Sequence, residues 1–287
     1  MPRLLVTLSG GTVSSSVEDG LVKLGTESPI ISYLKANYPE TEFEFISPAN
    51  YSSENARPED YRDVLKAVSQ TACKSRPDGM IILHGTDTMA YFAQLAARVL
   101  TCLGIPFVIT GSKIPPDMPG TDAYGNIDNA VMQVTGGKSG VVFTTHGGDS
   151  AVIPADKVTS PDIFGDYGTW PDSADTDFSS DRYRKYSEAF FAGEKLHRIQ
   201  VIAAAPTPGI LDEGFDTVLI LCHHSGTADV KLVPKVRKWK ANGIRCFMAP
   251  VPRNSNIYES RAMLEQAGCT ALPGMPPEGA WAEALIT

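Results

Sequence analysis

The sequence predicts an α/β protein with a larger N-terminal domain, built on a doubly wound, mostly parallel sheet, and a smaller C-terminal α/β domain. Three observations predict it. Short, largely apolar runs at 4–8, 79–83, 105–110 and 140–145 have the length and composition of strands buried on both faces. Stretches with apolar residues at helical spacing alternate with them through short connections, the mark of βαβ units. A segment rich in Asp, Gly, Pro and Ser at 162–180 interrupts the alternation before it resumes in the C-terminal third. The expected boundaries are 1–180 for the first domain, 181–205 for a linker and 206–287 for the second domain.

The first strand, 4–8, ends in Ser9-Gly10-Gly11-Thr12-Val13. Paired glycines let backbone approach a ligand closely, and Thr12 then presents a hydroxyl at the strand's carboxyl end. A Gly-Gly pair also makes an ordinary turn. Residues 14–29 are polar and punctuated by glycine, with a turn at Glu18-Asp19-Gly20; they read either as a lid with glycine hinges or as a surface loop. A helix at 30–38 and a strand at 43–46 lead to Ser53 and Glu54, types suited to holding a carboxylate and an ammonium. Arg57-Pro58-Glu59-Asp60 starts a helix, with proline in the first turn and acids near its positive end.

The run 79–83 ends in His84-Gly85-Thr86-Asp87-Thr88-Met89, around which the chain is organised. A helix over 90–103 follows, with Phe92, Leu95, Ala96, Val99 and Leu100 on one face. In open α/β sheets ligands bind at such carboxyl-end corners. Two hydroxyls and a carboxylate stand there beside free helix N–H groups, an arrangement that also suits a plain helix cap by Asp87 or Thr88. The strand 105–110 ends in Gly111-Ser112-Lys113, and a helix at 123–134 and a strand at 140–145 complete the first alternation. Beyond the break, strands are expected at 199–204, 217–221 and 244–249, and helices at 233–241, 258–267 and 278–285.

Composition narrows the function classes. A hydrophobic fraction of 43% and a charged fraction of 20% are those of a globular protein with an ample core. A net charge of −8 argues against a nucleic-acid surface. Five scattered cysteines without a C-x-x-C spacing read as reduced thiols, neither a disulfide frame nor a zinc site. The short apolar runs offer neither a signal peptide nor a membrane span, so a cytoplasmic protein is expected. No G-x-G-x-x-G or P-loop is present, which disfavours a nucleotide site. His223-His224 has only Asp229 and Cys222 nearby at ligand spacing, and His146-Gly147-Gly148-Asp149 is no stronger, so the histidines read as packed or solvated and no metal and no cofactor are expected.

The four corners Gly10-Gly11-Thr12, Ser53-Glu54-Asn55, His84-Gly85-Thr86-Asp87-Thr88-Met89 and Thr110-Gly111-Ser112-Lys113-Ile114-Pro115 together resemble the bacterial-type L-asparaginase/glutaminase family, in order and approximate spacing. The resemblance implies hydrolysis of an amino-acid side-chain amide to the acid and ammonia without cofactor. By it, Thr12 is the nucleophile, and Thr86, Asp87 and Lys157 form a Thr-Lys-Asp triad. Lys157 is assigned from Ala155-Asp156-Lys157-Val158 and the following Ser160-Pro161-Asp162-Ile163-Phe164; Lys113 is the competing lysine. Ser53 would hold the substrate carboxylate, Glu54 and Asp87 its ammonium, and Ser112 the leaving amide through backbone. Gly11 and Gly85 would line the substrate. Asn242-Gly243 either matches an asparagine that reaches a neighbouring subunit or simply closes a helix. The resemblance further implies a homodimer or homotetramer.

One departure stands out. The family carries a lid tyrosine about a dozen residues after the first Gly-Gly-Thr, whereas residues 13–31 contain none, with Leu21 or Val22 at that place. Three readings follow: an asparaginase, a relative hydrolysing another small or modified carboxamide, and a catalytically weak amino-acid-binding protein on the same fold.

Overall fold

The computed structural model describes the chain except residues 19–20, 25–27, 173–175, 194–195, 206–209, 211–212 and 254–256, and the side chains of 16–18 and 21–24. The chain forms two compact units, Met1–Thr169 with Phe178–Ala192, and Trp170–Asp177 with Gly193–Thr287.

In the first unit the elements run β1 (Arg3–Leu8), β2 (Ser15–Glu18), β3 (Leu21–Leu24), α1 (Pro29–Asn37), β4 (Glu42–Ile46), α2 (Pro58–Ser75), β5 (Gly79–Leu83), α3 (Met89–Leu100), β6 (Phe107–Thr110) and α4 (Ala123–Thr135), followed by β7 (Gly140–Thr144), β8 (Ser150–Ile153), β9 (Val158–Pro161), β10 (Tyr167–Thr169) and α5 (Asp181–Ala192). The main sheet has the order β4-β1-β5-β6-β7-β8, parallel apart from the antiparallel edge strand β8. The chain leaves β1 toward β4 on one side and returns past it to β5 on the other. The strand order therefore reverses between β1 and β5, which opens a crevice at their carboxyl ends.

The α/β alternation expected from the sequence is present, and alternating side chains explain why helices cover both faces. Leu4, Val6, Ile81, Leu83, Val108 and Val142 pack on α1 and α4. The opposite set, with Met80 and Ile82, is equally buried and continues into His84, whose ring stacks on Phe92 of α3 and meets Tyr61 of α2 edge-on. Pro58 opens α2 and Asp60 accepts the Arg57 backbone N–H at 2.7 Å, as the helix-start reading required.

Three segments differ from expectation. The residues read as a lid or loop contain the antiparallel pair β2–β3, registered from Ser15↔Leu24 to Glu18↔Leu21. The expected turn at 19–20 lies outside the described residues, as do the side chains of Leu21 and Val22. The stretch before the break carries a second hairpin, β9–β10. The linker expected at 181–205 begins instead with α5, which belongs to the first unit and buries Tyr183, Ser187 and Phe190 on one face.

The second unit holds β11 (Ile199–Ala203), β12 (Thr217–Leu221), α6 (Val233–Ala241), β13 (Arg245–Val251), α7 (Glu259–Gln266), β14 (Thr270–Pro273) and α8 (Pro277–Ile286). Its sheet is fully parallel in the order β11-β12-β13-β14. Val218, Ile220, Cys246 and Met248 share a core with Val236 and Trp239 of α6 and Leu264 of α7, while Leu219 and Ala249 meet Ala280 of α8. Gly243 at φ +75 follows the end of α6, so Asn242-Gly243 closes that helix here. Among the described residues no helix is long and apolar enough to cross a membrane.

Candidate active site

The crevice between β1 and β5 is built by extending the sheet beyond its strands. Ser9 donates both its N–H and its hydroxyl to Leu83 O, at 3.2 and 2.6 Å. Tyr51 N–H donates to Ser9 O and Gly11 N–H to Tyr51 O, so the loop after β4 pairs with the end of β1. His84 N–H donates to Thr110 O at 2.9 Å. Three corners are thereby held edge to edge: 9–12, 51–54 and 84–88.

Their closeness depends on two glycines. A Cβ on Gly11, whose φ is +78, would stand 2.4 Å from Gly85 Cα, and one on Gly85 would stand 2.5 Å from Ser53 Oγ. Any side chain at either place forces the corners apart. The short turn Thr12–Ser14 follows Gly11, with Ser15 Oγ donating back to Gly11 O at 2.9 Å.

Around this contact lies a polar cavity of about 190 Å3, lined by Gly11, Thr12, Ser15, Ser52, Ser53, Glu54, Gly85, Thr86 and Asp87. Seven of the nine site residues expected from sequence therefore meet on one cavity, and Ser112 and Lys157 do not line it. Ser112 is 1% exposed in the corner after β6, its hydroxyl without a hydrogen-bond partner. Lys157 is half-buried immediately before β9, and the next residue, Val158, accepts a 3.0 Å hydrogen bond from Gln94 Nε2 of α3. The competing Lys113 is engaged elsewhere: its Nζ pairs with Asp166 Oδ1 at 3.1 Å and donates to Phe164 O at 3.2 Å. Asp166 is held below the usual carboxylate range by Lys113 and the His146 N–H, which outweigh its desolvation.

The helix-cap reading of the central motif does not hold. Thr88 occupies the cap position of α3, but its side chain makes no capping bond. Thr88 Oγ1 instead donates to Ser53 O at 3.0 Å and accepts from Tyr61 O–H at 2.6 Å, tying the Ser53 corner to the Thr86 corner. Asp87 is exposed toward the cavity. Beneath them His84 is completely buried among the Tyr51, Tyr61 and Phe92 rings. Its Nδ1 lies 2.8 Å from Gly85 O, where only an N–H can donate, and Nε2 has no partner among the described residues. Burial pushes its pKa down to about 4, so the ring is neutral at neutral pH.

The sequence pattern missed Ser15 and Ser52 as lining residues, and it missed Tyr167, whose hydroxyl donates to Thr86 O at 2.5 Å. Ser15 and Ser52 flank motifs already singled out, but nothing in a lone serine distinguishes lining from loop.

Comparison with known proteins decides the family. Residues 3–160, more than half of the chain, match the family model described as "Asparaginase, N-terminal". The chain belongs to the asparaginase family. The crystallised thermostable L-asparaginase of Thermococcus kodakarensis shares the fold at a TM-score of 0.72 and 20% identity, covering 98% of this chain and 90% of that one. L-asparaginase I of Vibrio cholerae O1 biovar eltor str. N16961 does so at 0.69 and 20%, covering 99% and 92%. Among curated relatives, a glutamyl-tRNA(Gln) amidotransferase subunit of Thermococcus kodakarensis is 24% identical over 98% of this chain and 70% of its own length. The Thermoplasma acidophilum protein of the same name is 27% identical over 99% and 74%. This asparaginase-family chain is an enzyme of the amidohydrolase kind.

Proposed function

We propose that this asparaginase-family enzyme hydrolyses the side-chain amide of a small amino acid, L-asparagine before glutamine, to the acid and ammonia. The observation that carries the reading is the Gly11–Gly85 contact, which puts Thr12 and Thr86 on one cavity with Ser53, Glu54 and Asp87. Among the described residues that lining contains two carboxylates and hydroxyls but no Lys or Arg. Its charge suits a ligand with an ammonium group beside Glu54 and Asp87, and hydroxyls with backbone N–H groups suit the ligand's carboxylate. A cavity near 190 Å3 has room for an amino-acid amide.

In the proposed reaction Thr12 Oγ attacks the amide carbon while its proton passes to Lys157 as the base, with Asp87 and Thr86 completing the triad. Backbone N–H groups at the glycine corners stabilise the oxyanion. Collapse expels ammonia, which takes the proton, and water then cleaves the Thr12 ester to release the acid. We further propose a homodimer or homotetramer as the working particle, read out by light scattering.

A second reading is favoured by the relatives named as part of an amidotransferase and by the absence of tyrosine from 13–31. In it the same threonine chemistry acts on another carboxamide, or releases ammonia for transfer to a second substrate. Ammonia release from asparagine, glutamine and a panel of small amides separates the two. Rapid release from asparagine supports the first reading, release only from another amide supports the second, and no release with binding retained leaves an amino-acid-binding protein.

A further inference from the structure

The β9–β10 hairpin contains Tyr167, whose ring is 6% exposed and stands edge-on to Phe143 with centroids 5.0 Å apart. Its hydroxyl reaches out of this apolar seat to donate to Thr86 O. That carbonyl opens the turn into α3, and its helical partner, Met89 N–H, is a distant 3.5 Å away. The phenol is thus the close donor to the Thr86 carbonyl. Burial first, then the nearby Asp87 and Asp122 carboxylates, push the Tyr167 pKa far upward, so the group stays protonated and donates throughout the working range.

The same hairpin carries Lys157 at its entrance. Its first strand is fixed on α3 by Gln94 Nε2 donating to Val158 O at 3.0 Å, and its loop is held by Lys113 on Phe164 O and Asp166. Its second strand is fixed on the Thr86 turn by Tyr167. The tyrosine therefore joins the segment bearing the lysine to the turn bearing Thr86 and Asp87.

We propose that Tyr167 is a positioning residue for amide hydrolysis: through the Thr86 carbonyl it sets the Thr86–Asp87 turn and the Lys157 hairpin in register with each other. It touches neither substrate nor reacting atoms. The inference rests on the amidohydrolase reading above. The Ser53 and Glu54 side of the cavity has its own tie to this corner through Thr88 and Tyr61, which removal of the Tyr167 hydroxyl leaves in place.

The test is Tyr167→Phe in the full chain, which keeps the ring in its seat and removes only the donor. Expected is a fall in kcat of about tenfold or more, the scale of a sub-ångström misplacement of reacting groups. KM and the affinity for the acid product should stay within about threefold, and cooperative thermal unfolding should be retained. Unchanged kcat in an active wild-type background overturns the proposal alone. Equal losses in kcat, product binding and thermal stability, or a variant that no longer unfolds cooperatively, assign the hydroxyl to the general fold and also overturn it. A wild-type enzyme inactive on every amide overturns the underlying reading and this inference with it.

Discussion

His84 gives a quantitative prediction about acid sensitivity. In the unfolded chain its imidazole titrates near the ordinary value of 6.5, and in the folded chain near 4. The folded state thus binds fewer protons between those values. The neutral-His contribution is intact above pH 6.5 and is lost as pH falls toward 4. At 1.36 kcal/mol per pH unit the full loss is about 3 kcal/mol, of which about 2 kcal/mol has gone by pH 5. The cause is burial of the ring among Tyr51, Tyr61 and Phe92, which the bond to Gly85 O offsets only in part. Replacing His84 by Asn keeps an N–H near Gly85 O and removes the titration, at some cost in packing. Urea unfolding at pH 7.5 and pH 5, at one protein concentration, should show the wild type losing about 2 kcal/mol more than His84→Asn between the two pH values. Far-UV circular dichroism is the suitable probe, because Trp170, Trp239 and Trp281 all belong to the second unit. Depressed carboxylates such as Asp216 act in both proteins and cancel in the difference. Equal pH dependence in the two proteins refutes the assignment of a buried neutral imidazole.

Other substitutions test the site piece by piece. Gly85→Ala, whose new Cβ meets Ser53 Oγ, should cost about 1–3 kcal/mol in urea unfolding and remove most ammonia release. Thr88→Val breaks the Tyr61–Thr88–Ser53 tie and should raise KM several-fold with kcat less affected, at a stability cost of about 1–3 kcal/mol. Lys157→Met should lower kcat by at least a thousandfold if it is the base, whereas Lys113→Met should lower it less than about threefold; steady-state kinetics on the pair decide between the lysines.

The parts legible in the sequence are those where one physical constraint dominates. An apolar run such as Gly79–Leu83 fits only a strand buried on both faces, and the corner after it follows from the glycine and the helical periodicity beyond. Residues that meet the ligand crevice were legible because several such corners recur and resemble one family. The hairpins β2–β3 and β9–β10 were not, since strands of three or four residues are too short to show a core-facing alternation. Helix α5 buries only Tyr183, Ser187 and Phe190 among charges, a stripe too thin to separate from a linker. Thr88 has the residue type of a cap and the position of one, yet its hydroxyl is taken by Ser53 O, a partner 35 residues away that local pattern cannot reveal. Tyr167 escaped for the same reason, 81 residues from the carbonyl it holds.

The central claim is that Thr12 and Thr86, joined across the Gly11–Gly85 contact, perform one amide hydrolysis. The most direct measurement is ammonia release from asparagine by the wild type beside Thr12→Ala and Thr86→Ala. The account predicts rapid release by the wild type and its loss in both variants, with the acid product still bound. Undiminished release by Thr12→Ala contradicts it.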